Sequence, residues 1–399
     1  MTAVAGAVDT PVYVYSRAAI MRRSAEYLEA ARQATSGRVS ICYAVKANAN
    51  PTILRMLFAA GLGADVTSGG ELFLALHAGA EKQKIIFSGT GKKPAEIAEA
   101  LSAGIRAIHV ESEMELAAVA MEAERMGIVA PIGVRVNPNI DVETHPYIST
   151  GHHSHKFGVS PQIAISMFEY ALAHDHLRPV GLATHVGSQI TQLAPFAEAA
   201  NFLVALAAEL EAALGIAFEY IDVGGGLGID YQEPVPGPAV LLRAVGPVVS
   251  ASGYELIAEP GRSIVGPAGA LLTRVVYLKR QGEKRFVIVD AGMTDLMRPA
   301  LYQAHHPVMP VVESADPPIM VDIVGPVCET SDYLARSRPV SPVEQGSLLC
   351  ILHAGAYGYA MSSNYNGRLR PAEVLVDGDT FRVIRERQTY SALLDGIIE

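Results

Sequence analysis

The sequence predicts an α/β protein that combines a (β/α)8 TIM-type barrel with a C-terminal all-β domain. Eight short apolar runs alternate with helix-compatible segments as far as Gly261, and strand-like runs then follow without long helices. Several of the first eight runs end in a reactive or polar residue, which is typical of the mouth of a barrel. A doubly wound open sheet is the structural alternative, because the same alternation supports it.

The predicted barrel strands are short and rich in β-branched residues. They alternate with segments of helical composition, which favours parallel strands joined by helices. The strands are predicted at 39–44, 64–66, 85–87, 107–110, 132–136, 180–184, 220–223 and 255–258. The early helical segments are 51–60, 70–77, 94–103 and 112–126.

The second domain is predicted from strand-like runs alone. These runs are 270–277, 285–290, 319–324, 347–354, 372–376 and 380–385. A further strand-like run, 11–16, precedes the first barrel helix, and its pairing with the later strands would make this domain discontinuous. We therefore assign 20–265 to the barrel and 1–19 with 266–399 to the β domain.

Composition excludes several classes of protein. Half of the 399 residues are hydrophobic and 18% are charged, as in a dense globular enzyme. The net charge of −10 and the lack of a Lys/Arg run argue against a nucleic-acid surface. Three cysteines without a CxxC pair favour a reducing cytoplasm over a disulfide framework or a zinc knuckle. The first residues lack signal-peptide features, and no apolar run reaches the roughly 18 residues of a membrane span.

Lys46 is the most informative residue, because in VSICYAVKANANP it directly follows a buried apolar run. Desolvation lowers the pKa of an amine placed there, which raises the neutral fraction that attacks a carbonyl. We interpret Lys46 as a Schiff-base lysine. A snorkelling surface lysine is the alternative for an isolated lysine, and Lys156 is the rival for the same chemistry.

A glycine run, IDVGGGLGI, follows the predicted strand 220–223 and contains Gly225 and Gly226. Residues without a Cβ let successive backbone N–H groups approach an anion closely. The run therefore predicts a phosphate cradle at the barrel mouth, with an ordinary tight turn as the alternative.

Two further strand ends carry residues suited to an aromatic cofactor. AEPGRSIVG places Glu259 and Arg262 around a Pro–Gly turn. A carboxylate that faces a pyridine nitrogen favours the protonated ring, which is the better electron sink of pyridoxal phosphate chemistry. In GLATHVGSQI, His185 can stack on a flat ring and Ser188 can reach its phosphate. A surface ion pair and a satisfied core histidine are the alternatives. The same ring of strand ends includes Asp65 and Arg135.

The second domain has its own group of polar and reactive residues. Its members are Arg298, Tyr302, Cys328, Glu329 and Tyr357. Cys328 stands just after a strand beside Glu329 and is a candidate proton donor. Cys42 and Cys350 lie within apolar runs, which predicts inert packing.

A histidine-rich stretch, HPYISTGHHSHKFG, invites a metal interpretation. We predict no metal, because no cysteine or carboxylate completes a ligand set at a familiar spacing. A mobile loop over the barrel mouth is the preferred interpretation. The histidines are His145, His152, His153 and His155.

The series of motifs resembles the ornithine/diaminopimelate/arginine decarboxylase family, which has the alanine-racemase-like fold, and within it the diaminopimelate decarboxylases. The motifs occur in the family's order over nearly the whole chain: YAVKANAN, GADVTSGGEL, RVNPN, HPYISTG, KFG, HVGSQI, DVGGGLGI, EPGR, RPALY, CET and GAYGYAMSSNYN. The resemblance implies a pyridoxal 5'-phosphate enzyme that works as a homodimer with active sites at the interface.

The resemblance also implies roles for individual residues. Lys46 would bond to the cofactor, His185 would stack on its ring, and Glu259 would pair with the pyridine nitrogen. Arg298 and Tyr302 would grip the distal carboxylate of the substrate with Arg262. Cys328 and Glu329 would come from the partner subunit, the first as proton donor and the second as reader of the distal ammonium. The expected cofactor-binding residues are Lys46, Asp65, Arg135, His185, Ser188, Gly225, Gly226, Glu259, Gly261, Arg262 and Tyr357. Tyr357 is also an expected substrate contact.

The reaction implied by the resemblance is decarboxylation of meso-2,6-diaminopimelate to L-lysine and CO2, the last step of lysine biosynthesis. The alternatives are a sister decarboxylase for a siderophore intermediate, a carrier-bound amino acid, ornithine or arginine, then an amino-acid racemase, then a non-catalytic cofactor-binding protein. CETSD at 328–332 replaces the CESGD expected for the family, which bears on the distal pocket.

Overall fold

The computed structural model describes residues 1–34, 38–140, 156–312 and 314–398. The chain forms two compact units. One, the β unit, comprises Met1–Ile20, Asp230–Pro234 and Ile264–Glu399. The other, the barrel unit, comprises Met21–Ile229 and Val235–Ser263.

Eight strands of the described residues close into a parallel barrel, which confirms the predicted fold class. Strands are numbered along the chain from β1 (Val12–Ser16), which belongs to the β unit. The barrel strands are β2 (Val39–Ala44), β3 (Gly63–Val66), β4 (Ile85–Phe87), β5 (Ala107–Val110), β6 (Ala130–Arg135), β7 (Leu177–Ala183), β8 (Tyr220–Asp222) and β9 (Glu255–Ala258).

Helices alternate with these strands, and side-chain caps fix where several of them begin. Asn50 accepts a hydrogen bond from the Thr52 N–H, and Ser68 accepts one from the Glu71 N–H, so each helix starts within a few residues of the preceding turn. The helices are α1 (Thr2–Val8), α2 (Arg17–Ala34), α3 (Pro51–Ala59), α4 (Gly69–His77), α5 (Pro94–Ala103), α6 (Glu113–Met126), α7 (Pro161–Leu172), α8 (Ala194–Leu214), α9 (Pro238–Ala251), α10 (Arg262–Val265) and α11 (Arg298–Tyr302).

The centre of the barrel is filled by side chains. One buried cluster takes residues from strands on different sides of the barrel and includes the Cys42 thiol, as the packing interpretation of that residue predicts. The cluster members are Cys42, Ile86, Ala107, Val180, Tyr220 and Ile257. The interior is therefore a packed core, and any ligand site must lie at an end of the strands.

The β unit is built on a mixed sheet that has nine strands in the described residues. The main path runs β14-β13-β11-β10-β1-β16-β17, with β15 pairing with β10 and with β12. The predicted strand at 11–16 is β1, which pairs antiparallel with β10 and parallel with β16. The later strands are β10 (Gly269–Gln281), β11 (Lys284–Val289), β12 (Val308–Pro310), β13 (Ile319–Val324), β14 (Tyr333–Val340), β15 (Leu348–Ile351), β16 (Ala372–Asp377) and β17 (Thr380–Arg385).

The sequence missed β12 and β14. Strand β14 ends the main path of the sheet and exposes Arg336 and Ser337 in succession, so its polar and apolar residues do not alternate. Ser337 also has a φ of 48°, and the pairing with β13 is irregular. An irregular edge strand gives no period-two pattern for the sequence to reveal.

In the described part of the chain, every helix is too short or too polar to cross a membrane.

Candidate active site

The candidate site is a pocket of about 330 Å3 at the mouth of the barrel, where residues that follow the strands converge. It lies within the barrel unit. Its walls include Lys46, Ser88, Arg135, Phe157, His185 and Glu259. The sequence predicted four of these six residues at strand ends, and the fold brings them around one cavity.

Lys46 lies in a single helical turn, Val45–Ala47, directly after β2. Its Nζ donates a hydrogen bond of 2.7 Å to Oδ2 of Asp65, the residue that pairs with Ala44 in the neighbouring strand. Burial opposes ionisation of Asp65, but the Lys46 ammonium outweighs it through its charge and its hydrogen bond, so the pKa of Asp65 is lowered. The carboxylate thus holds the lysine at the pocket wall.

His185 is held by the glycine run. The Gly225 N–H donates to His185 Nδ1 at 3.0 Å, which makes this nitrogen an acceptor and leaves Nε2 to carry the proton of a neutral ring. Burial and the nearby Lys46 charge lower the pKa of His185 well below its ordinary value. A neutral, fixed imidazole is suited to stack against a flat ligand.

The glycine run packs so closely on its neighbours that side chains do not fit. A Cβ on Gly225 would meet the Glu259 carbonyl oxygen at 2.1 Å, and a Cβ on Gly226, whose φ is 108°, would meet the Gly187 carbonyl oxygen at 2.2 Å. The run is therefore a close approach of three loops, as the cradle interpretation requires.

Arg262 and Ser188 add a cation and a hydroxyl to the same edge of the barrel. Arg262 is buried, and its Nη2 donates to Ser188 Oγ at 2.8 Å. Gly261, one residue earlier, lies against the Lys46 turn: a Cβ there would meet the Ala47 and Ala44 methyl groups at 3.0 and 3.1 Å. Gly261 thus serves close packing of two loops.

Glu259 is a buried carboxyl group on the pocket wall. The Ser88 hydroxyl donates to its Oε1 at 3.4 Å. Burial raises the pKa of Glu259 well above its ordinary value, and the charges of Asp222 and Asp65 raise it further. Asp222 was not predicted from the sequence, although it is an acid near a strand end, as Asp65 is.

Arg135 is oriented by a second acid that the sequence analysis missed. Its Nη1 donates to Glu111 Oε1 at 3.0 Å, and both side chains are largely buried. Glu111 Oε2 also accepts the Gly158 N–H at 2.9 Å, and the Arg135 guanidinium lies 5.0 Å from the Phe157 ring centroid. The rival lysine, Lys156, has its Nζ 5.2 Å from the same ring and is exposed.

The remaining predicted residues belong to the β unit. Arg298 is buried there, and its Nη1 donates to the Tyr231 hydroxyl at 2.8 Å and contacts His306 Nε2 at 2.7 Å. Neither partner was found from the sequence, because neither stands in a recognisable motif. Tyr302 ends α11 and is half-buried. Tyr357 has a φ of 55°, a strained value for a tyrosine of the kind that occurs at ligand sites.

Cys328 and Glu329 lie in the turn between β13 and β14, and both are exposed in the β unit. Asp332 organises this turn by accepting the Val327 N–H at 2.7 Å and the Met293 N–H at 2.6 Å. The Cys328 N–H donates to Asn366 Oδ1 at 2.8 Å. The backbone of the turn is thus firmly held while its two reactive side chains remain accessible.

The four histidines of the 145–155 stretch lie outside the described residues. Within the described residues, His109, Asp222 and Glu259 place one potential ligand atom each within 4.8 Å of one another. This group was not predicted; His109 and Glu259 line the pocket, and Asp222 lies next to them.

The residues of the pocket fit pyridoxal phosphate. A lysine amine, a flat neutral imidazole and a buried carboxyl group surround one cavity, and a glycine run that excludes any Cβ, a hydroxyl and a guanidinium suit a phosphate. The fit depends on groups from four strand ends, β2, β7, β8 and β9.

Comparisons with known proteins point the same way. The family described as pyridoxal-dependent decarboxylase, pyridoxal binding domain, matches residues 17–266. A diaminopimelate decarboxylase of Neisseria meningitidis serogroup A is 46% identical over 97% of this chain and 94% of its own. One from Aquifex aeolicus is 44% identical over 97% of this chain and 91% of its own. The crystal structure of diaminopimelate decarboxylase from Helicobacter pylori complexed with L-lysine superposes with a TM-score of 0.94 at 40% identity, covering 99% of this chain and 98% of that one.

Proposed function

Because this chain belongs to the pyridoxal-dependent decarboxylase family, we infer that it decarboxylates meso-2,6-diaminopimelate to L-lysine and CO2, the last step of lysine biosynthesis. The observation that carries this inference is the pocket in which Lys46, His185 and Glu259 converge, in a chain that aligns end to end with diaminopimelate decarboxylases. The protein is a carboxy-lyase.

The cofactor is pyridoxal 5'-phosphate, which supplies an electron sink for the carbon that loses its carboxylate. Lys46 would hold its carbonyl carbon, and the hydrogen bond to Asp65 keeps the amine at that wall. Glu259 would face the ring nitrogen and His185 the ring face. The proposed phosphate contacts are Ser188, Gly225, Gly226 and Arg262, with Asp65, Arg135, Gly261 and Tyr357 as further members of the cofactor site.

The β unit would supply the groups that read the substrate. Arg298 and Tyr302 would bind the distal carboxylate together with Arg262, and Tyr357 would lie beside them. Glu329 would accept the distal ammonium, and Cys328 would deliver a proton to the carbon from which CO2 departs. A carboxylate for an ammonium and a guanidinium for a carboxylate are the matching pairs for a diamino diacid.

The proposal includes a homodimer in which Cys328 and Glu329 act in the partner's site. Their exposure supports this arrangement, because a proton donor must be enclosed with its substrate, and the β unit by itself leaves both residues accessible. It also includes a cytoplasmic location, which suits three cysteines that are all unpaired thiols.

The test is CO2 release by the purified protein with added pyridoxal phosphate. Matched reactions contain meso-diaminopimelate, L-lysine, L-ornithine, L-arginine or D-lysine, with Lys46→Ala as the inactive control. We expect release from meso-diaminopimelate with formation of L-lysine. Release from another amine alone would support the cofactor assignment but contradict the proposed substrate. The roles of Arg298, Tyr302 and Glu329 would then have to be reassigned. Release from none of these amines would contradict the proposed decarboxylase activity.

A further inference from the structure

A second buried acid, Asp222, lies next to Glu259 of the pocket wall, and the proposed function uses only Glu259. Asp222 ends β8 and Glu259 follows β9, and these two strands are hydrogen-bonded neighbours. The Asp222 side chain is fully buried and Glu259 is 6% exposed. One oxygen of each carboxyl group lies within 4.8 Å of the other.

Asp222 is connected to the glycine run by one oxygen only. Its Oδ1 accepts the Gly224 N–H at 2.8 Å. Its Oδ2 accepts no hydrogen bond from an N–H or hydroxyl donor among the described residues, and it lies 4.0 Å from His109 Nδ1. The Asp222 and Glu259 carboxyl groups are hydrogen-bonded to each other, which requires a proton on one of them. A buried carboxylate oxygen without a donor is costly, which implies that a proton is shared at this position.

The cations near the pair are engaged elsewhere. Lys46 donates to Asp65, and Arg106 donates to both oxygens of Glu255 at 2.9 and 2.8 Å. His109 contacts the Tyr220 hydroxyl through Nε2, and burial followed by the Lys92 charge lowers its pKa to about 3, so that the ring is neutral. In the described residues, the negative charge of two ionised acids would therefore lack a neutralising partner at this position.

Two carboxylates that are buried this close do not both ionise at neutral pH. Burial raises the pKa of Asp222 to about 6, and burial followed by the Asp222 charge raises the pKa of Glu259 well above its ordinary value. The pair accordingly holds one proton and one negative charge, and the proton rests on Glu259 as long as no cationic ligand lies against that carboxyl group.

We propose that Asp222 is a positioning residue that shares a single proton with Glu259 and accepts it when a protonated pyridine nitrogen lies against Glu259. The inference rests on the proposed function, in which Glu259 faces the cofactor ring. The proton moves from the Glu259 carboxyl group to Asp222, the ring nitrogen keeps its own proton, and the total charge of the pair stays at one. Asp222 thereby lets Glu259 present a carboxylate to the ring without a second negative charge beneath it.

The first measurement is infrared spectroscopy of the full-length protein without added cofactor, as a function of pH. Wild type is expected to show a protonated carboxyl signal from the pair at neutral pH. Glu259→Gln should abolish that signal, and Asp222→Asn should move its midpoint down by about 1 to 3 pH units, because the neighbouring charge is gone. Asn keeps the size of Asp222 and an oxygen for the Gly224 N–H.

The second measurement uses pyridoxal phosphate labelled with nitrogen-15 at the ring. Nuclear magnetic resonance gives the pH at which the bound ring nitrogen loses its proton. We expect this midpoint to stay within about half a pH unit of wild type in Asp222→Asn, because the pair carries one negative charge in wild type and Glu259 alone carries one in the variant. A fall of about one pH unit or more would mean that both acids are ionised beneath the ring, and it would overturn the proposal.

Asp295→Asn is the matched control. Asp295 is also a buried aspartate with one oxygen on a backbone N–H, that of Gly292 at 2.8 Å, and burial raises its pKa to about 7, but it belongs to the β unit. Its replacement should leave the signal of the pair and the ring titration unchanged.

The proposal is overturned if wild type lacks the carboxyl signal, or if the signal keeps its midpoint in Asp222→Asn. A divalent cation bound by His109, Asp222 and Glu259 would keep both acids ionised and would give the first of these results. If Asp222→Asn does not fold, the wild-type signal and its loss in Glu259→Gln decide the question. Failure of the proposed function, seen as absence of CO2 release, leaves the infrared result intact, so the two failures are distinguishable.

Discussion

The pocket of the barrel and the Cys328 turn of the β unit hold their reactive groups in opposite ways. In the pocket, charged side chains lie beside partners from other strands, as the half-buried Lys46 lies beside the buried Asp65. In the turn, the backbone is fixed by Asp332, but Cys328 and Glu329 point to the surface. In the pocket, burial shifts the pKa values of side chains that all belong to the barrel unit. The turn instead presents exposed groups that need an enclosing surface before they can act on a substrate.

The largest effect that tests this comparison is expected from Lys46→Ala. It should reduce CO2 release by about 10^4-fold or more, since the proposed nucleophile is removed, and it should abolish the visible absorbance of the bound cofactor. Absorbance spectroscopy and borohydride reduction followed by peptide mapping check it.

Lys156→Ala is the matched control for that measurement, because Lys156 is exposed beside the same Phe157 ring. It should keep the cofactor absorbance. A borohydride-reducible adduct that persisted in Lys46→Ala but not in Lys156→Ala would identify Lys156 as the cofactor-binding lysine. The reactive lysine would then be an exposed residue, which contradicts the contrast drawn between the pocket and the turn.

Cys328→Ala tests the exposed side. It should leave cofactor absorbance intact and slow turnover by roughly a hundredfold or more, because a positioned proton donor is lost. Steady-state CO2 release measures the loss of turnover, and a separate cofactor titration measures whether pyridoxal phosphate binding is intact.

Mixing extends the same test to the dimer. Lys46→Ala and Cys328→Ala subunits, refolded or exchanged together in equal amounts, should recover about a quarter of wild-type activity, because half of the dimers pair the two variants and each of these has one intact site. Unchanged inactivity after proven exchange would place Cys328 in the site of its own chain.

A smaller effect is expected where the pocket depends on close backbone packing. Gly225→Ala places a Cβ 2.1 Å from the Glu259 carbonyl oxygen, so the loops must separate. We expect the affinity for pyridoxal phosphate to fall about tenfold or more, the equivalent of a strain of at least about 1.4 kcal/mol. Gly237→Ala, where a Cβ meets nothing within 4 Å, is the control and should bind normally. Equal affinities of the two variants would remove the cradle interpretation.

Asp295→Asn is expected to affect stability and leave turnover unchanged, which sharpens the comparison by separating burial from catalysis. Burial raises the pKa of Asp295 to about 7, so its contribution to stability is complete below its ordinary pKa of 3.8 and is lost as the pH rises through 7. Between pH 5 and pH 8 wild type should lose about 2 to 3 kcal/mol of unfolding free energy through this group, and the variant should lose none of it. Urea unfolding at the two pH values measures this change in unfolding free energy. The same change in wild type and in Asp295→Asn would contradict the prediction.

The bounds of several barrel strands were predicted to the residue from the sequence. The strands at 39–44, 85–87, 107–110 and 255–258 begin and end where they were predicted to. Their apolar runs are flanked by polar turn residues, which mark both ends of each strand in the sequence. Asp222 and Glu111 were missed although each stands at a strand end, where the same signal had already indicated Asp65. The roles proposed for the site residues remain predictions.

The sequence by itself determined the alternation of strands and helices, because side-chain periodicity and turn residues act locally. It also determined which strand ends carry polar groups, and so which residues meet at the mouth of a parallel barrel. Only the tertiary structure decided that Glu259 lies beside Asp222, that Arg135 is held by Glu111, and that Cys328 is exposed. Such pairings depend on strand register and burial across the fold, and these set how much of each charge is neutralised.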